Sequence, residues 1–283
     1  MPTASPNADV GPLLREWRER RRLTQLELAL DAGTSARHLS FVETGRSKPG
    51  REVLLRVAEQ LEMPFRERNQ LLLAAGYAPA FPERSLEEPE LEPVREALDR
   101  VLTAQEPYPA MAMDRSWNVV AANSAFRAFG EWVDPELLEP PVNALRMGLH
   151  PRGLAPLVLN LGEVRAYFLE RLQRQVAITA DDDLAELLEL VASYPAPEHE
   201  QLPVVEAAAR EILTPLRMRT PDGDELSFVG TVATFGFAGE VTTSELSIES
   251  LFPADAATAE TLESMASDRR NVDSQTPPNR GGR

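Results

Sequence analysis

The side chains best suited to contact a nucleic acid lie close together, between residues 25 and 48. Arg37 carries a planar guanidinium that matches guanine O6 and N7, and a phosphate clamp is the alternative role for it. Phe41 either meets a thymine methyl group or packs on its neighbours, and His38 suits helix-surface packing better than base contact. The residues predicted to contact DNA are Gln25, Thr34, Ser35, Arg37, His38, Ser40, Phe41, Thr44, Arg46, Ser47 and Lys48.

Two short helices joined by a tight turn are predicted to position these side chains. Thr24 is a favourable N-cap for the first of them, and a glutamate three residues later completes a capping box. Gly33 supplies the left-handed residue that ends this helix. The next helix is predicted over residues 36–43, with Leu39 and Val42 turned towards the core. This pattern predicts a helix-turn-helix, and a helical hairpin with an accidental glycine is the alternative.

Residues 11 to about 76 resemble the XRE family of lambda-repressor-like five-helix domains. The resemblance rests on the 25–43 segment and on the run Glu43–Pro49, which is typical of that family. It implies that the third helix enters the major groove and that Gln25 and the loop Arg46–Lys48 contact phosphates. It also implies a homodimer that binds a palindromic operator in double-stranded DNA.

The charge of the chain is distributed unevenly. The formal net charge is −16, which taken alone argues against a nucleic-acid partner. Residues 1–84 nevertheless hold 13 Lys and Arg against 11 Asp and Glu, a net of +2, so the rest of the chain carries −18. Within residues 13–51 the net is +4. Such asymmetry indicates that DNA contact is confined to the first part of the chain.

Proline and glutamate crowd one stretch of the sequence and predict a linker there. The predicted organisation is a disordered N-terminus, a helix-turn-helix domain, this linker, a second domain and a disordered polar tail. The corresponding ranges are 1–10, 11–78, 79–93, 94–267 and 268–283.

The second domain is predicted to be α+β. Two strand signals, 110–114 and 117–121, precede a short helix capped by Asn123 and a mostly helical stretch to about residue 211. Three further strands are predicted at about 212–220, 226–237 and 241–250, with a turn at Pro221–Asp224. Two strands, helices and then three strands is the order of a PAS-like fold.

Residues 11–262 also resemble the MmyB-like transcription regulators, which join an XRE head to a PAS-like ligand-binding domain. The predicted fold class is therefore multidomain: an all-α lambda-repressor-like domain followed by an α+β PAS-like domain. One departure is Val164, because the family usually has Trp at that position, and a smaller residue implies a larger or different pocket. The residues that carry the resemblance in the second domain are Trp117–Val120, Asn123, Leu149–Pro151, Asn160, Leu161, Arg165, Thr220–Gly223, Glu245, Leu246, Ile248–Ser250 and Phe252–Asp255.

The MmyB-like resemblance implies a sensor cavity between sheet and helices for a small apolar molecule, with a fatty-acid-like chain as the expected ligand. His150, Arg152 and Arg165 are candidates to hold an acidic head group, and a surface ion pair is the alternative for Arg165. Ordinary core packing is the alternative for each apolar wall residue. The predicted walls are Met111, Met113, Trp117, Phe126, Phe168, Leu172, Phe228 and Phe235.

Several function classes lack support in the sequence. There is no cysteine, which excludes thiol nucleophiles, disulfides and cysteine-ligated metals. The three histidines are far apart, and no GxSxG, P-loop or GxGxxG motif occurs. Residues 181–183 suit a helix start better than a metal site. No enzyme activity, required cofactor or metal is predicted, and without an 18-residue apolar run we expect a soluble cytoplasmic protein.

The sequence thus predicts a sequence-specific DNA-binding regulator whose second domain binds a small apolar ligand. One alternative is a regulator whose second domain only dimerises or contacts a partner protein. A second alternative is an enzyme fused to a DNA-binding head, which no catalytic constellation supports.

Overall fold

The computed structural model of the protein describes residues 10–179, 181–195, 215–236 and 238–275. The chain forms two compact units. The head unit comprises Met1–Ser85 with Gly236–Ser244, and the sheet unit comprises Leu86–Phe235 with Glu245–Arg283. The division after Ser85 falls inside the stretch 79–93 that the sequence predicts as a linker.

Five helices form the N-terminal segment of the head unit. Their bounds are α1 Val10–Arg20, α2 Gln25–Asp31, α3 Ala36–Glu43, α4 Arg51–Gln60 and α5 Phe65–Ala74.

Local capping rules explain where α2 and α3 begin and end. The Thr24 side chain accepts a hydrogen bond from Glu27 N while Glu27 reaches back to Thr24 N, which is a complete capping box. Ser35 caps α3 by accepting from His38 N. Gly33 and Gly45 take φ values of +63° and +71° after the two helices, a conformation that favours glycine. The predicted helix-turn-helix is confirmed.

A buried ion pair ties α1 to the end of α3. Arg18 donates from Nε and Nη2 to the two carboxylate oxygens of Glu43, at 2.7 and 2.9 Å. Gln25 Nε2 donates to the same carboxylate at 2.8 Å, and the Glu43 side chain is only 2% exposed. The apolar part of this core includes Leu14, Leu28, Leu39, Val42, Leu54, Leu61, Leu71 and Leu72.

One segment of the head unit comes from late in the chain. A strand is predicted over 241–250, but residues Val241–Glu245 form a short helix, α11 in chain order. Glu240 caps this helix by accepting from Thr242 N and Thr243 N. Val241 N donates to Pro82 O at 2.8 Å, and Thr242 Oγ1 donates to Arg84 O at 2.6 Å. The prediction was wrong for these residues because side-chain capping outweighs the strand preference of a β-branched run.

The sheet unit mixes helices with one five-stranded sheet. The helices are α6 Glu92–Ala104, α7 Ser124–Ala128, α8 Ala144–Leu149, α9 Leu161–Thr179, α10 Asp182–Ala192 and α12 Ala256–Gln275. The strands are β1 Ala110–Met113, β2 Val119–Ala122, β3 Leu216–Arg219, β4 Glu225–Thr234 and β5 Ser247–Pro253.

All neighbouring strands run antiparallel, in the order β2-β1-β5-β4-β3. β5 therefore lies in the middle, with Met111 opposite Glu249 and Thr231 opposite Ser250. Two N-terminal strands followed by helices and three C-terminal strands confirm the predicted PAS-like α+β fold.

The alternation of side chains along the strands gives the sheet two different faces. Ala110, Ala112 and Ile248 pack with Leu98 and Leu102 of α6 on one face. The opposite face carries the other residues of the same strands, and helices α8 and α9 contribute to the core on that side. A cavity between the sheet and the helices is therefore expected on this second face.

Other predictions concern the end of the second domain, residues 181–183, the stretch 196–211 and the ranges at the ends of the chain. α12 continues to Gln275, past residue 268, where a disordered tail is predicted, so that boundary was wrong. Asp181 caps α10 by accepting from Asp183 N and Leu184 N, which agrees with its interpretation as a helix start. The predicted helical stretch from 196 to 211 and the ranges 1–9 and 276–283 lie outside the described residues.

Candidate functional sites

The turn before α3 and the core behind it determine which face α3 exposes. Thr34 N donates to Ala29 O at 2.8 Å, which closes the turn, and Ala29 is buried. Leu39 and Val42 are buried in the head core. Because residues three and four apart share a helix face, the opposite face is left to Arg37, Ser40, Phe41 and Thr44.

The exposed face of α3 combines a cation, hydroxyls and an aromatic ring. Arg37 is exposed, with its guanidinium 5.3 Å from the centre of the half-buried Phe41 ring. This contact supports the packing alternative for Phe41 and orients Arg37 at the same time. Thr44 Oγ1 donates to Ser40 O at 2.7 Å, so this hydroxyl is oriented by its own helix. Ser35 is exposed as the cap, while Thr34 and His38 are half-buried.

Two more cations follow α3 in a structured loop. Arg46 N and Ser47 N both donate to Phe41 O, at 2.7 and 3.1 Å, which fixes the backbone after the helix. Arg46 and Lys48 are exposed, and Lys48 Nζ lies 5.1 Å from the centre of the Tyr77 ring. Arg37, Arg46 and Lys48 are called the α3 cations below. Exposed cations beside a helix with hydrogen-bonding side chains form a surface suited to DNA.

Gln25 differs from the other residues predicted to contact DNA. It is half-buried, and its amide nitrogen donates to Glu43, the partner of Arg18. The structure therefore gives Gln25 a role in joining α2 to α3, whether or not it also contacts a phosphate.

An apolar cavity of about 90 Å³ lies in the sheet unit. Four of the seven methionines of the chain line it, which gives the wall an unusual share of flexible, polarisable side chains. The lining residues are Met111, Met113, Trp117, Phe126, Phe129, Ala144, Leu145, Met147, Gly148, Leu149, Leu154, Val158, Val164, Phe168, Leu216, Met218, Glu249 and Leu251.

Five of the predicted wall residues lie together at this cavity: Met111, Met113, Trp117, Phe126 and Phe168. The other three apolar candidates do not line it. Leu172 and Phe228 are wholly buried among other core residues, and Phe235 packs with the cluster on the α6 face of the sheet. For these three the core-packing alternative fits the structure.

The predicted acid-binding side chains do not line the cavity either. Arg152 is exposed and pairs with Asp134 and Glu136, both at 2.8 Å. These carboxylates raise the pKa of Arg152 above its usual range. His150 Nδ1 accepts from Arg152 N at 3.0 Å, and its ring lies 4.9 Å from that of Tyr194.

Arg165 is occupied by backbone carbonyl groups. Its Nη2 donates to Ala192 O at 2.6 Å and to Tyr194 O at 3.2 Å, which joins α9 to the end of α10. Arg152, His150 and Arg165 thus all lie outside the cavity lining, although Arg165 Nε is buried without a hydrogen-bond partner. That these residues hold a ligand head group stays a prediction.

The charged group that does line the cavity is not among the residues predicted from the sequence. Glu249 on β5 has a side chain only 10% exposed, and its Oε2 accepts from Arg171 Nη1 at 3.4 Å. Burial raises the pKa of Glu249, and the nearby Arg171 opposes that rise in part. The strand alternation that places Met111 on the cavity face also places Glu249 there, since the two are paired across β1 and β5.

Trp117 joins the cavity wall to Arg171. The Arg171 guanidinium lies 4.4 Å from the Trp117 ring, and Trp117 Nε1 donates to Gln175 at 2.9 Å. Trp117 has a φ of +66°, which is unfavourable for a bulky residue. The Asp114 carboxylate stabilises this turn by accepting from Ser116 N and Asn118 N. Local strain held by such bonds is typical of functional positions.

Val164 also lines the cavity and is 7% exposed. The MmyB-like family that the sequence resembles usually has Trp at this position. The place of Val164 in the wall means that side-chain size at 164 bears directly on the cavity volume.

Within residues 10–179, 181–195, 215–236 and 238–275, no helix is both long and apolar enough to cross a bilayer. Over the same residues, no group of three His, Asp or Glu side chains is placed to hold a metal ion.

Both units match known families in sequence. Residues 94–265 match the family described as "MmyB-like transcription regulator ligand binding domain", and residues 14–68 match "Helix-turn-helix". A curated relative from Bacillus subtilis (strain 168), described as "Uncharacterized HTH-type transcriptional regulator RghRB", is 38% identical over 74 residues. That match covers 26% of this chain and 51% of the relative, so the chain spans about half the length of the curated relative.

Solved structures show weaker similarity. The clp gene regulator ClgR from Corynebacterium glutamicum is 26% identical, with 38% of this chain and 99% of that chain covered and a TM-score of 0.24. The PAS domain of an HTR-like protein from Haloarcula marismortui is 12% identical, with 58% and 97% covered and a TM-score of 0.24. The PAS-like α+β fold is therefore assigned from the strand order and helix arrangement given above.

Proposed function

Because the chain belongs to the MmyB-like transcription regulators, in which a helix-turn-helix head precedes a ligand-binding domain, we propose that a small apolar ligand in the methionine-lined cavity controls operator binding by α3. The observation that carries this proposal is the cavity itself, whose walls are apolar and include four methionines. The regulator requires no cofactor other than this ligand.

We propose that α3 binds in the major groove. Arg37 is the base-contacting residue, since its exposed guanidinium can donate two hydrogen bonds to guanine O6 and N7. The contact with the Phe41 ring orients this guanidinium. Arg46 and Lys48 contact phosphates and set the position of the helix. The protein acts as a homodimer on a palindromic operator, and ligand binding changes the spacing of the two recognition helices.

We propose that the ligand carries an apolar chain like that of a fatty acid. The cavity of about 90 Å³ is smaller than the ~150 Å³ cavities that accept benzene, so a long chain requires the walls to move apart. Met111, Met113, Met147 and Met218 allow this because an unbranched thioether side chain adapts to a ligand at low cost. The open arrangement is then the ligand-bound state, and ligands act by stabilising it.

The proposal that α3 binds the operator is tested with an operator selected from random duplexes by the wild-type protein. Arg37→Ala is expected to lose preference at one base position, at a cost of about 1–3 kcal/mol there. Lys48→Ala is expected to weaken binding to all sequences alike. Arg100→Ala, which removes an arginine 73% exposed on α6, is the matched control and should leave binding unchanged. If Arg37→Ala and Lys48→Ala both bind as the wild type does, α3 is not the recognition helix.

The ligand part is tested by native mass spectrometry of the freshly purified protein. A bound small molecule, or a chain-like apolar compound that alters operator affinity when added, is the expected result. A protein that carries no small molecule and whose operator affinity responds to no apolar compound would instead match a second domain that only dimerises or contacts a partner protein.

A further inference from the structure

One ionisable side chain stands out in the wall of the apolar cavity. Among the described residues that line the cavity, Glu249 alone has an ionisable side chain. Its nearest charge, Arg171, is not a lining residue. Of the two charged residues of the pair, it is therefore Glu249, and not Arg171, that lies in the cavity wall.

The surrounding residues hold the pair in this orientation. Arg171 is engaged with the Trp117 ring at 4.4 Å and with Glu249 at 3.4 Å, and its side chain is 24% exposed. Glu249 lies in the central strand of the sheet, paired with Met111 on one side and Val232 on the other. A carboxyl group on a strand with neighbours on both sides has a fixed position relative to the cavity.

We propose that Glu249 determines which head group the ligand carries, and that it selects a neutral hydrogen-bond donor, such as a hydroxyl or a primary amide, over a carboxylate. This inference rests on the proposed function, since it assumes that the apolar part of the ligand fills the cavity. It differs from that proposal in assigning the polar end of the ligand to a carboxyl group of the protein.

The selection follows from the electrostatics of a buried acid. A hydroxyl or amide N–H donates to the Glu249 carboxylate and leaves its charge unchanged. A ligand carboxylate would place a second negative charge next to the buried Glu249 carboxylate. This arrangement is unfavourable unless one of the two carboxylates takes up a proton. Burial already raises the pKa of Glu249, and Arg171 offsets only part of this effect. A like charge in the wall of a site is a common means of excluding a competing ligand.

The test uses the full-length protein and three eight-carbon compounds that differ only in their head group: 1-octanol, methyl octanoate and octanoate. Binding is followed at pH 7.5 by tryptophan fluorescence, since Trp117 lines the cavity. We expect 1-octanol to bind most tightly, the ester less tightly because it lacks a donor, and octanoate at least about tenfold more weakly than the alcohol.

Variants separate the carboxyl group from the shape of the cavity. Glu249→Gln should raise the affinity for octanoate about tenfold and leave that for 1-octanol within about threefold, since the amide keeps the size and the acceptor. Glu245→Gln is the matched control, because Glu245 also forms an ion pair with a mostly buried arginine, Arg115, but does not line the cavity. This variant should keep the wild-type order of the three compounds.

Each outcome decides between the two proposals. Octanoate binding as tightly as 1-octanol, or more tightly, overturns the role of Glu249 but leaves the apolar-ligand function standing. Failure of all three compounds to bind, together with no effect of any apolar compound on operator affinity, overturns the proposed function and this inference with it. Should Glu249→Gln fail to fold, the order of the three compounds on the wild-type protein still decides the question.

Discussion

Filling the cavity from the Val164 position should stabilise the protein and exclude the ligand. A cavity in a protein core costs about 24 cal/mol per Å³, so a cavity of about 90 Å³ costs roughly 2 kcal/mol. Val164→Phe places a larger apolar side chain into this space from α9, and Val and Phe have similar helix propensities. The free energy of unfolding should therefore rise by up to about 2 kcal/mol, equivalent to roughly 4–8 °C in Tm for a domain of this size.

The ligand response of the same variant gives the second measurement. A ligand at a hundred times its Kd stabilises the folded protein by about 2.7 kcal/mol, and Val164→Phe should lose most of that stabilisation. Scanning calorimetry of the wild type and the variant, with and without 1-octanol, gives both quantities.

Val191→Phe is the matched control for Val164→Phe. Val191 is a buried valine of α10 that does not line the cavity, so the same enlargement there should overpack the core and cost about 1–3 kcal/mol. A Val164→Phe protein that is destabilised as much as this control, and that responds to ligand as the wild type does, would refute the assignment of the cavity.

Further predictions concern single interactions. Glu43→Ala removes the buried carboxylate that Arg18 uses and should cost the head unit about 3–5 kcal/mol in urea unfolding, whereas an unchanged midpoint would contradict a structural role for this pair. Thr24→Ala should cost about 1 kcal/mol through loss of the cap of α2, with Thr24→Ser close to wild type. Because burial raises the pKa of Glu249, its contribution to stability is present at low pH and is lost as the pH rises through its folded-state pKa. Glu249→Gln should therefore gain stability relative to the wild type as the pH is raised, and a relative loss would contradict this sign. With two phosphate-contacting cations, Arg46 and Lys48, in each chain of a dimer, the slope of log K against log salt should be about −4, and a slope near zero would exclude them from the DNA contact.

Local sequence rules were sufficient to predict the head unit. The capping box at Thr24, the cap at Ser35 and the glycine at position 33 each determine a helix end through contacts within a few residues. The helix predicted over residues 36–43 coincides with α3, Ala36–Glu43. Short-range chemistry of this kind is readable without knowledge of the rest of the fold.

The sheet unit was predictable only in part, because strand register is set by residues far apart in the chain. The two N-terminal strands were placed within about two residues, but the 241–250 strand begins only at Ser247, after a helix capped by Glu240. The face that a strand residue occupies depends on its partner, and the pairing of Met111 with Glu249 spans more than a hundred residues. A glutamate in a strand is ordinarily taken as exposed, which is why Glu249 was missed.

The ion pairs of the head unit show how much of its positive charge is available to DNA, within a chain whose net charge is −16. Arg15, Arg18 and Arg20 of α1 all pair with glutamates of the head unit, at 2.7, 2.7 and 2.5 Å. The arginine-rich first helix therefore stabilises the head unit and contributes little positive charge towards DNA. The α3 cations are the exposed positive charges on and beside the proposed recognition helix, while the −18 of the remaining chain repels DNA outside that contact. Discrimination between sequences must then come from a few α3 side chains and the geometry of the proposed dimer, since non-specific attraction supplies little of the affinity.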